Sequence, residues 1–409
     1  MKYVKNYECT ICHKIFDKDL IINTCDECGE KGILDINYDY EKLKKVINKE
    51  YFKNNIDFTM WRYKYLMSVK DRDFSDTLKV GWTPLYKSIH LKKELGLKEL
   101  YLKDEGLNPT ASLKDRASAV AVMKAIEENA KVISCSSTGN AASSLAGNAA
   151  RMGLETVIFV PKRAPLGKLS QLLIYGAQVI SVEGDYKDTF KLSKAAINHF
   201  GWYNRNAAIN PHLVEGKKTV ALEIAEQLDF KVTDWVSVSV GDGCTIGGVY
   251  KGFYDLFMIG LIDKIPRILG VQSEGCSPFY TAYINDCPIV EAEEKTIADS
   301  IAVGIPRNPI KAQNAVKKSK GTWITVSDSE ILKAMKILGS KEGIFGEPAG
   351  VAGFAGVINA LQQGIIQHTE SVTVIVTGNG LKDTVNALQA TEAPLSLGPD
   401  LQELIKYIK

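Results

Sequence analysis

The sequence predicts an α/β protein with a mostly parallel sheet and a small cysteine ribbon at its start. From about residue 81 onward, short β-branched runs alternate with amphipathic helical stretches. Glycine-rich or hydroxyl-rich loops follow several of these runs, and four of the 8 cysteines lie near the N-terminus. Strand–helix alternation is typical of folds in which helices cover a parallel sheet. Ligands bind in such folds where strands end and helices begin.

Composition favours an ordinary globular protein with a small-molecule partner. The chain has 409 residues, 45% hydrophobic and 24% charged, with a formal net charge of +2. These values exclude disordered, collagen-like and disulfide-scaffold classes, and the balanced charge does not favour nucleic acid or an anionic membrane. No apolar run reaches the ~18 residues of a membrane helix, and the first residues lack the apolar stretch of a secretory signal. We therefore expect a cytoplasmic protein.

The period of the hydrophobic residues places the main elements. Predicted strands cover residues 132–133, 156–160, 178–182, 235–240, 268–272, 322–326 and 371–377. Predicted helices include residues 219–228, 330–338 and 349–361. One or two further helices are expected within residues 36–79, which carry no motif.

The clustered cysteines predict a metal ribbon over residues 1–35. Its two Cys-x2-Cys pairs consist of Cys9, Cys12, Cys25 and Cys28. Four thiolates match a tetrahedral zinc site, and zinc supplies the folding energy that so small a unit cannot obtain from its core. A fully thiolate-ligated zinc is structural, so it does not name a reaction. Unligated thiols on a vestigial ribbon, a redox pair and an iron site remain open.

Residues 108–116, Asn-Pro-Thr-Ala-Ser-Leu-Lys-Asp-Arg, predict a turn followed by a helix. Ser112 and Asp115 have the spacing of a capping box. Lys114 then lies in the first helical turn, where the helix dipole disfavours a positive charge. This position suits an amine that is neutral or bonded to a carbonyl, as in pyridoxal phosphate enzymes. A solvated surface lysine is the alternative.

Two loops that follow strands are candidate anion sites. Residues 134–140 are rich in hydroxyls and precede a helix, which suits a substrate carboxylate, although ordinary helix capping is an equal alternative. Residues 241–248 are rich in glycine, which lets backbone amides approach a phosphate. A dinucleotide site is the competing interpretation because Glu274 follows the next strand. The glycine spacing misses the dinucleotide pattern by one residue.

The last predicted strand ends in residues 377–383, Thr-Gly-Asn-Gly-Leu-Lys-Asp. If the hydroxyl of Thr377 faces the pyridine nitrogen of a pyridoxal phosphate, that nitrogen has a neutral partner. A neutral partner favours elimination and replacement chemistry over transamination. A simple Gly-Asn turn is the alternative. The five histidines form no triad and are expected on the surface or in loops, and the Gly-x-Ser-x-Gly elbow of serine hydrolases is absent from the sequence.

The order of these motifs resembles that of the threonine synthase family, within the fold type II, tryptophan-synthase-β-like pyridoxal phosphate enzymes. The matching segments are residues 108–116, 136–140, 160–176, 215–219, 241–248, 346–350 and 377–383. This resemblance implies two α/β domains with the cofactor between them and the cysteine ribbon in front. The large domain would comprise residues 36–116 and 206–409, and the small inserted domain residues 117–205. It also implies a homodimer.

The resemblance also assigns roles to single residues. Lys114 would form the Schiff base with pyridoxal phosphate and later move protons, Asn140 would bind the 3-hydroxyl group, and Thr377 would face the ring nitrogen. The loop that holds the cofactor phosphate would consist of Gly241, Asp242, Gly243, Cys244 and Thr245. The substrate would be bound by Ser136, Ser137, Thr138, Gly139 and Lys168.

The implied reaction converts O-phospho-L-homoserine and water to L-threonine and phosphate by γ-elimination and β-addition. Ala111 and Leu113 depart from the glycine and phenylalanine that are more frequent in the family, and Asp242 and Cys244 depart from its Asn/Gly-rich loop. These departures leave the substrate open. The alternatives are a sister β-replacement enzyme such as cysteate synthase, which uses O-phosphoserine and sulfite, a thiolase-type relative, a dehydratase-type lyase and a non-catalytic zinc-ribbon binding protein.

Overall fold

A computed structural model describes residues 1–162, 166–184 and 186–408, without the side chains of residues 166–168 and 186. The chain begins with a three-stranded antiparallel sheet of order β2-β1-β3. Its strands are β1 (Val4–Cys9), β2 (Ile15–Asp17) and β3 (Leu34–Tyr38). Two short helices, α1 (Tyr40–Leu43) and α2 (Lys49–Lys53), and a 3-10 segment (Met60–Leu66) follow.

A four-stranded parallel sheet of order β8-β7-β6-β9 lies in the middle of the chain. Its strands are β6 (Val132–Ser136), β7 (Glu155–Pro161), β8 (Gln178–Val182) and β9 (Tyr203–Asn204). The intervening helices are α5 (Asn140–Arg151), α6 (Leu166–Ile174) and α7 (Tyr186–Phe200). The segment before it contains β4 (Leu85–Lys87), α3 (Leu91–Glu94), β5 (Glu99–Asp104) and α4 (Lys114–Glu127).

The larger sheet has six strands in the order β12-β11-β10-β13-β5-β4, and only β4 at its edge is antiparallel. Its later strands are β10 (Trp235–Ser239), β11 (Arg267–Ser273), β12 (Thr322–Val326) and β13 (Ser371–Val376). The later helices are α8 (His212–Lys217), α9 (Thr219–Gln227), α10 (Cys244–Met258), α11 (Pro278–Ile284), α12 (Pro309–Lys318), α13 (Asp328–Glu342), α14 (Pro348–Gln362), α15 (Thr384–Gln389) and α16 (Leu401–Tyr407).

Helices cover both faces of the larger sheet. Val236 and Val238 of β10 belong to a hydrophobic cluster that also contains residues of α10, such as Phe253. Trp235 of the same strand belongs to a second cluster with Phe354 of α14. Alternate residues of a strand face opposite sides of a sheet, and every residue of β10 is buried, so the strand is covered on both sides.

The structure confirms the predicted α/β class and finds a strand at each predicted position. It also contains β5, which was not predicted. His212 lies in α8, is buried, and its Nδ1 is 2.8 Å from Ser68 Oγ, so the expectation of an exposed or loop histidine is wrong there. None of the helices in the described ranges combines the length and apolar character needed to cross a bilayer.

Candidate active site

A cavity of about 440 Å³ lies where β6, β10 and β13 end and where α4, α5 and α10 begin. The predicted site residues that line it are Lys114, Ser136, Ser137, Thr138, Gly139, Asn140, Gly241, Asp242, Gly243, Cys244, Thr245 and Thr377. The side chain of Lys168 lies outside the described part of the chain. Segments far apart in sequence therefore meet at one edge of the two sheets, as expected for a parallel α/β fold.

Lys114 is the first residue of α4 and lines the cavity. Its segment is fixed by backbone hydrogen bonds, because Leu113 N donates to Thr377 O (2.9 Å) and Asn379 N donates to Ala111 O (3.1 Å). Burial, together with the nearby charges of Lys217 and Arg205, lowers the pKa of Lys114 to about 8. The amine is thus far easier to deprotonate than an ordinary lysine.

The capping box predicted from Ser112 and Asp115 is wrong. The Asp115 carboxylate instead accepts hydrogen bonds from Thr110 N and Thr110 Oγ1, both at 2.7 Å, and from Asn148 Nδ2 at 2.9 Å. Ser112 Oγ is buried without a hydrogen-bond partner in the described structure. Asp115 therefore stabilises the turn before Lys114 through Thr110, and its bond to Asn148 connects that turn to α5.

Asn140 begins α5 and faces a carboxylate that the sequence analysis did not single out. Its Nδ2 donates to Glu347 Oε1 at 2.7 Å. Glu347 immediately precedes α14, and a Cβ at Gly378 would lie only 2.3 Å from the same oxygen. The only sequence signal for Glu347 was the family-like segment 346–350. Asn140, Glu347 and the loop after β13 thus form one wall of the cavity.

The loop after β6 leaves polar groups for a ligand. Ser136 N donates to Asn206 Oδ1 at 3.0 Å, and Gly139 N donates to Ser137 Oγ at 3.3 Å. In contrast, Ser136 Oγ and Asn206 Nδ2 are buried and have no hydrogen-bond partner among the described residues. Buried donors without partners are costly, and a polar ligand in the cavity can satisfy them.

In the loop after β10, side chains at two of the glycine positions would clash with neighbouring atoms. A Cβ at Gly241 would lie 2.9 Å from Ile301 Cα, and Gly243 has φ +84° with a Cβ position 2.7 Å from Asn308 O. The first amides of α10 lack carbonyl partners within the helix, so they can bind an anion. The Asp242 carboxylate accepts a hydrogen bond from Arg307 N at 3.4 Å, so the acid has a partner of its own. This loop fits a phosphate group.

The four N-terminal cysteines form a separate cluster. All their sulfur atoms lie within 4.8 Å of one another, and the sulfurs of Cys12 and Cys25 are 3.6 Å apart. A tetrahedral ion with ~2.3 Å bonds to sulfur places its ligands about 3.8 Å apart. The donor set therefore fits zinc.

Comparison with known proteins identifies the family. The family described as pyridoxal-phosphate dependent enzyme matches residues 77–378. The chain is 41% identical to the threonine synthase of Methanocaldococcus jannaschii, over 98% of each chain. It belongs to the threonine synthase family. The threonine synthase of Methanosarcina acetivorans is 38% identical, again over 98% of each chain.

Solved structures give the fold of this threonine synthase family member. The processed threonine deaminase isoform 2 of Solanum lycopersicum superposes with a TM-score of 0.68 at 20% identity, covering 84% of this chain and 93% of that one. The Escherichia coli diaminopropionate ammonia lyase in complex with an aminoacrylate-PLP azomethine intermediate gives 0.65 at 23% identity, over 75% and 86% of the two chains. At these identities the likeness concerns architecture, which is fold type II.

Proposed function

We propose that this protein is a threonine synthase that converts O-phospho-L-homoserine and water to L-threonine and phosphate. The observation that carries the proposal is the 41% identity to a threonine synthase over 98% of both chains. The cavity supports it because the lysine, the hydroxyl loop, the glycine loop and the threonine tip all line one space.

The cavity residues fit pyridoxal phosphate. When bound, this cofactor supplies an electron sink that stabilises negative charge on carbons near the amino group of the substrate. Lys114 would hold it covalently, Asn140 would bind its 3-hydroxyl group and Thr377 would face its ring nitrogen. The phosphate would lie against the backbone of residues 241–245, where the glycines leave space and α10 presents its first amides.

The loop after β6 would bind the substrate carboxylate. Ser136 supplies a buried hydroxyl without a partner in the described structure, and Ser137, Thr138 and Gly139 line the same wall. We also propose Lys168 as a ligand of the substrate phosphate. An anion held here by several donors would place the substrate carbons beside Lys114.

Lys114 would then carry protons during the reaction. A group with a pKa of about 8 can both accept and donate a proton near neutral pH, which suits repeated transfers between neighbouring carbons. Phosphate leaves from the γ carbon, and the oxygen of water later bonds to the β carbon. Water must be excluded until that step, so we propose that residues 117–205 close over residues 36–116 and 206–409.

We further propose that the cysteine cluster holds a structural zinc ion, and that the enzyme acts as a homodimer in the cytoplasm. The close spacing of the four sulfurs supports the zinc. The site is closed by four thiolates, so it would stabilise the ribbon and would not take part in the reaction.

The experiment is a phosphate-release assay with O-phospho-L-homoserine, compared with O-phospho-L-serine in the presence and absence of sulfite. Threonine formation from the first substrate is expected, and Lys114→Ala should abolish it. Phosphate release from O-phospho-L-serine, with none from O-phospho-L-homoserine, would instead support a β-replacement enzyme on the same scaffold. Ala111, whose φ of +67° is unusual for a side-chain-bearing residue, would then be the first place to examine.

A further inference from the structure

Two cationic side chains in the cavity wall have no carboxylate partner among the described residues. Lys217 ends α8 and Arg205 follows β9, and each is only 2% exposed. Arg205 donates Nε and Nη2 to Ser118 Oγ, at 3.1 and 3.0 Å. In the described ranges the Lys217 ammonium has no hydrogen-bond partner, and neither cation has a carboxylate oxygen within 4.0 Å.

Other buried cations in the molecule are paired. Lys218, the next residue in the chain, is bonded to Glu215 (2.5 Å) and Asp255 (2.6 Å). Arg116 and Lys103 share the carboxylate of Glu223. Buried charges are costly unless they are paired. Lys217 and Arg205 depart from this rule, and both face the cavity.

Both cations line the same cavity as Lys114. They are the charges that act most strongly on the pKa of Lys114, after burial itself. The Cβ of Lys217 is 3.1 Å from the position a Cβ would take on Gly248, so Lys217 packs against the start of α10. Lys217 therefore lies against the helix that follows the glycine loop.

Three carboxylates of the cavity wall accept hydrogen bonds from other groups. Asp242 accepts from Arg307 N at 3.4 Å, and Glu347 accepts from Asn140 Nδ2 at 2.7 Å. Glu294 accepts from Gly304 N at 2.8 Å. Because no carboxylate oxygen of the described residues lies within 4.0 Å of either cation, an anion from outside the chain can bind to both.

We propose that Lys217 and Arg205 together bind a phosphoryl dianion in this cavity. Lysine offers a point charge and arginine a planar fork, and the two are the side chains best suited to phosphate oxygens. The proposal rests on the proposed function for its two sources of that group, the phosphate of the cofactor and the phosphate of the amino-acid substrate.

The test measures binding without turnover, using Lys217→Met and Arg205→Gln. In one arm, cofactor-free protein is titrated with pyridoxal phosphate and with pyridoxal, which lacks the phosphate, and bound cofactor is followed by absorbance. In the other arm, holoenzyme is titrated with inorganic phosphate by calorimetry. We expect each variant to lose about 10- to 100-fold in affinity for one phosphate-bearing probe, the range of a charge-assisted hydrogen bond.

The two titrations distinguish the cofactor phosphate from the substrate phosphate. A loss for pyridoxal phosphate with unchanged pyridoxal binding assigns the pair to the cofactor, and a loss for inorganic phosphate assigns it to the substrate. Lys217→Arg should restore binding. Wild-type affinity for both phosphate-bearing probes, or an equal loss for pyridoxal, overturns the proposal.

Lys124→Met is the matched control, because Lys124 is also buried but pairs with Glu127 away from the cavity wall. Melting curves check that each variant folds, and Lys217→Gln and Arg205→Met replace any that does not. A protein that makes no threonine and still shows the losses would keep this proposal and refute the proposed function.

Discussion

Arg116 and Glu105 form a fully buried, two-pronged ion pair, with Nε to Oε2 and Nη2 to Oε1 both at 2.7 Å. Arg116 lies two residues after Lys114 on α4, and Glu105 immediately follows β5. Arg116 also reaches Glu223, which in turn binds Lys103 of β5. The helix that presents the lysine is thereby fixed to the larger sheet and to α9.

Arg116→Met is expected to destabilise the protein by about 3–5 kcal/mol, because it leaves Glu105 buried without its cation. Chemical denaturation of the holoenzyme measures the loss. Lys87→Met is the control, since Lys87 pairs with Glu99 at the surface, where removal costs about 0–1 kcal/mol. Equal losses for the two variants would contradict a stabilising role for the buried pair.

Uptake of pyridoxal phosphate by the cofactor-free protein should depend on pH with a midpoint near the pKa of Lys114, about 8. Only the neutral amine can attack an aldehyde, so the uptake rate should rise with pH below the midpoint and level off above it. Stopped-flow absorbance measures the rate. A midpoint near ~10.4, the ordinary lysine value, would show that burial does not act on this amine.

The same shift has a consequence for stability. The folded pKa of Lys114 is lowered, so between about 8 and the unfolded value of 10.5 the unfolded chain binds more protons than the folded one. The contribution of Lys114 to the stability of cofactor-free protein should therefore rise with pH across that window. Lys114→Met should flatten the rise, which melting temperatures at several pH values would detect.

Ala111→Gly should stabilise the protein by up to about 1 kcal/mol. Ala111 has φ +67°, a backbone conformation that costs a residue with a side chain about 1–2 kcal/mol and costs glycine almost nothing. The greater freedom of glycine in the unfolded chain offsets part of this gain. The control is Ala195→Gly in the exposed middle of α7, which should destabilise by about 0.5–1 kcal/mol. The same sign for both variants would refute the strain at Ala111.

Cys25→Ser should remove zinc from the purified protein and lower the free energy of unfolding by about 3 kcal/mol or more, because a structural zinc site contributes directly to folding. Elemental analysis and denaturation measure the two effects. Cys287, which is exposed and outside the cluster, provides the control Cys287→Ser with wild-type metal content. Wild-type protein without bound metal would refute the zinc site.

Local signals in the sequence were enough to place the loops of the site. Strand β13 is mostly β-branched and β10 alternates valine with serine. Both are followed by glycine or hydroxyl residues, so both the element and the loop could be predicted. Strand β5 was missed because its buried part includes Lys103 and Asp104. A lysine in a sequence is predicted to be exposed unless a buried partner is known. The partner of Lys103 is Glu223, which lies 120 residues away in the chain.

Partners that are distant in the sequence also explain why some cavity residues were not predicted. Lys217 and Lys218 are adjacent and identical in type, yet one is paired and the other faces the cavity. Only the direction of α8 distinguishes them. Glu347 and Arg205 likewise became candidates once the fold had brought them to the cavity wall.

The ribbon is bound to a part of the chain that is made much later. Lys311 Nζ donates to Leu34 O at 2.8 Å and to Asp35 at 3.1 Å, across 277 and 276 residues. At the usual pace of about 5–20 residues per second, a ribosome needs roughly 15–60 s to synthesise the intervening chain. During that time the first 35 residues lack this contact. Metal bound early by the nascent chain would hold the ribbon in shape until α12 is made.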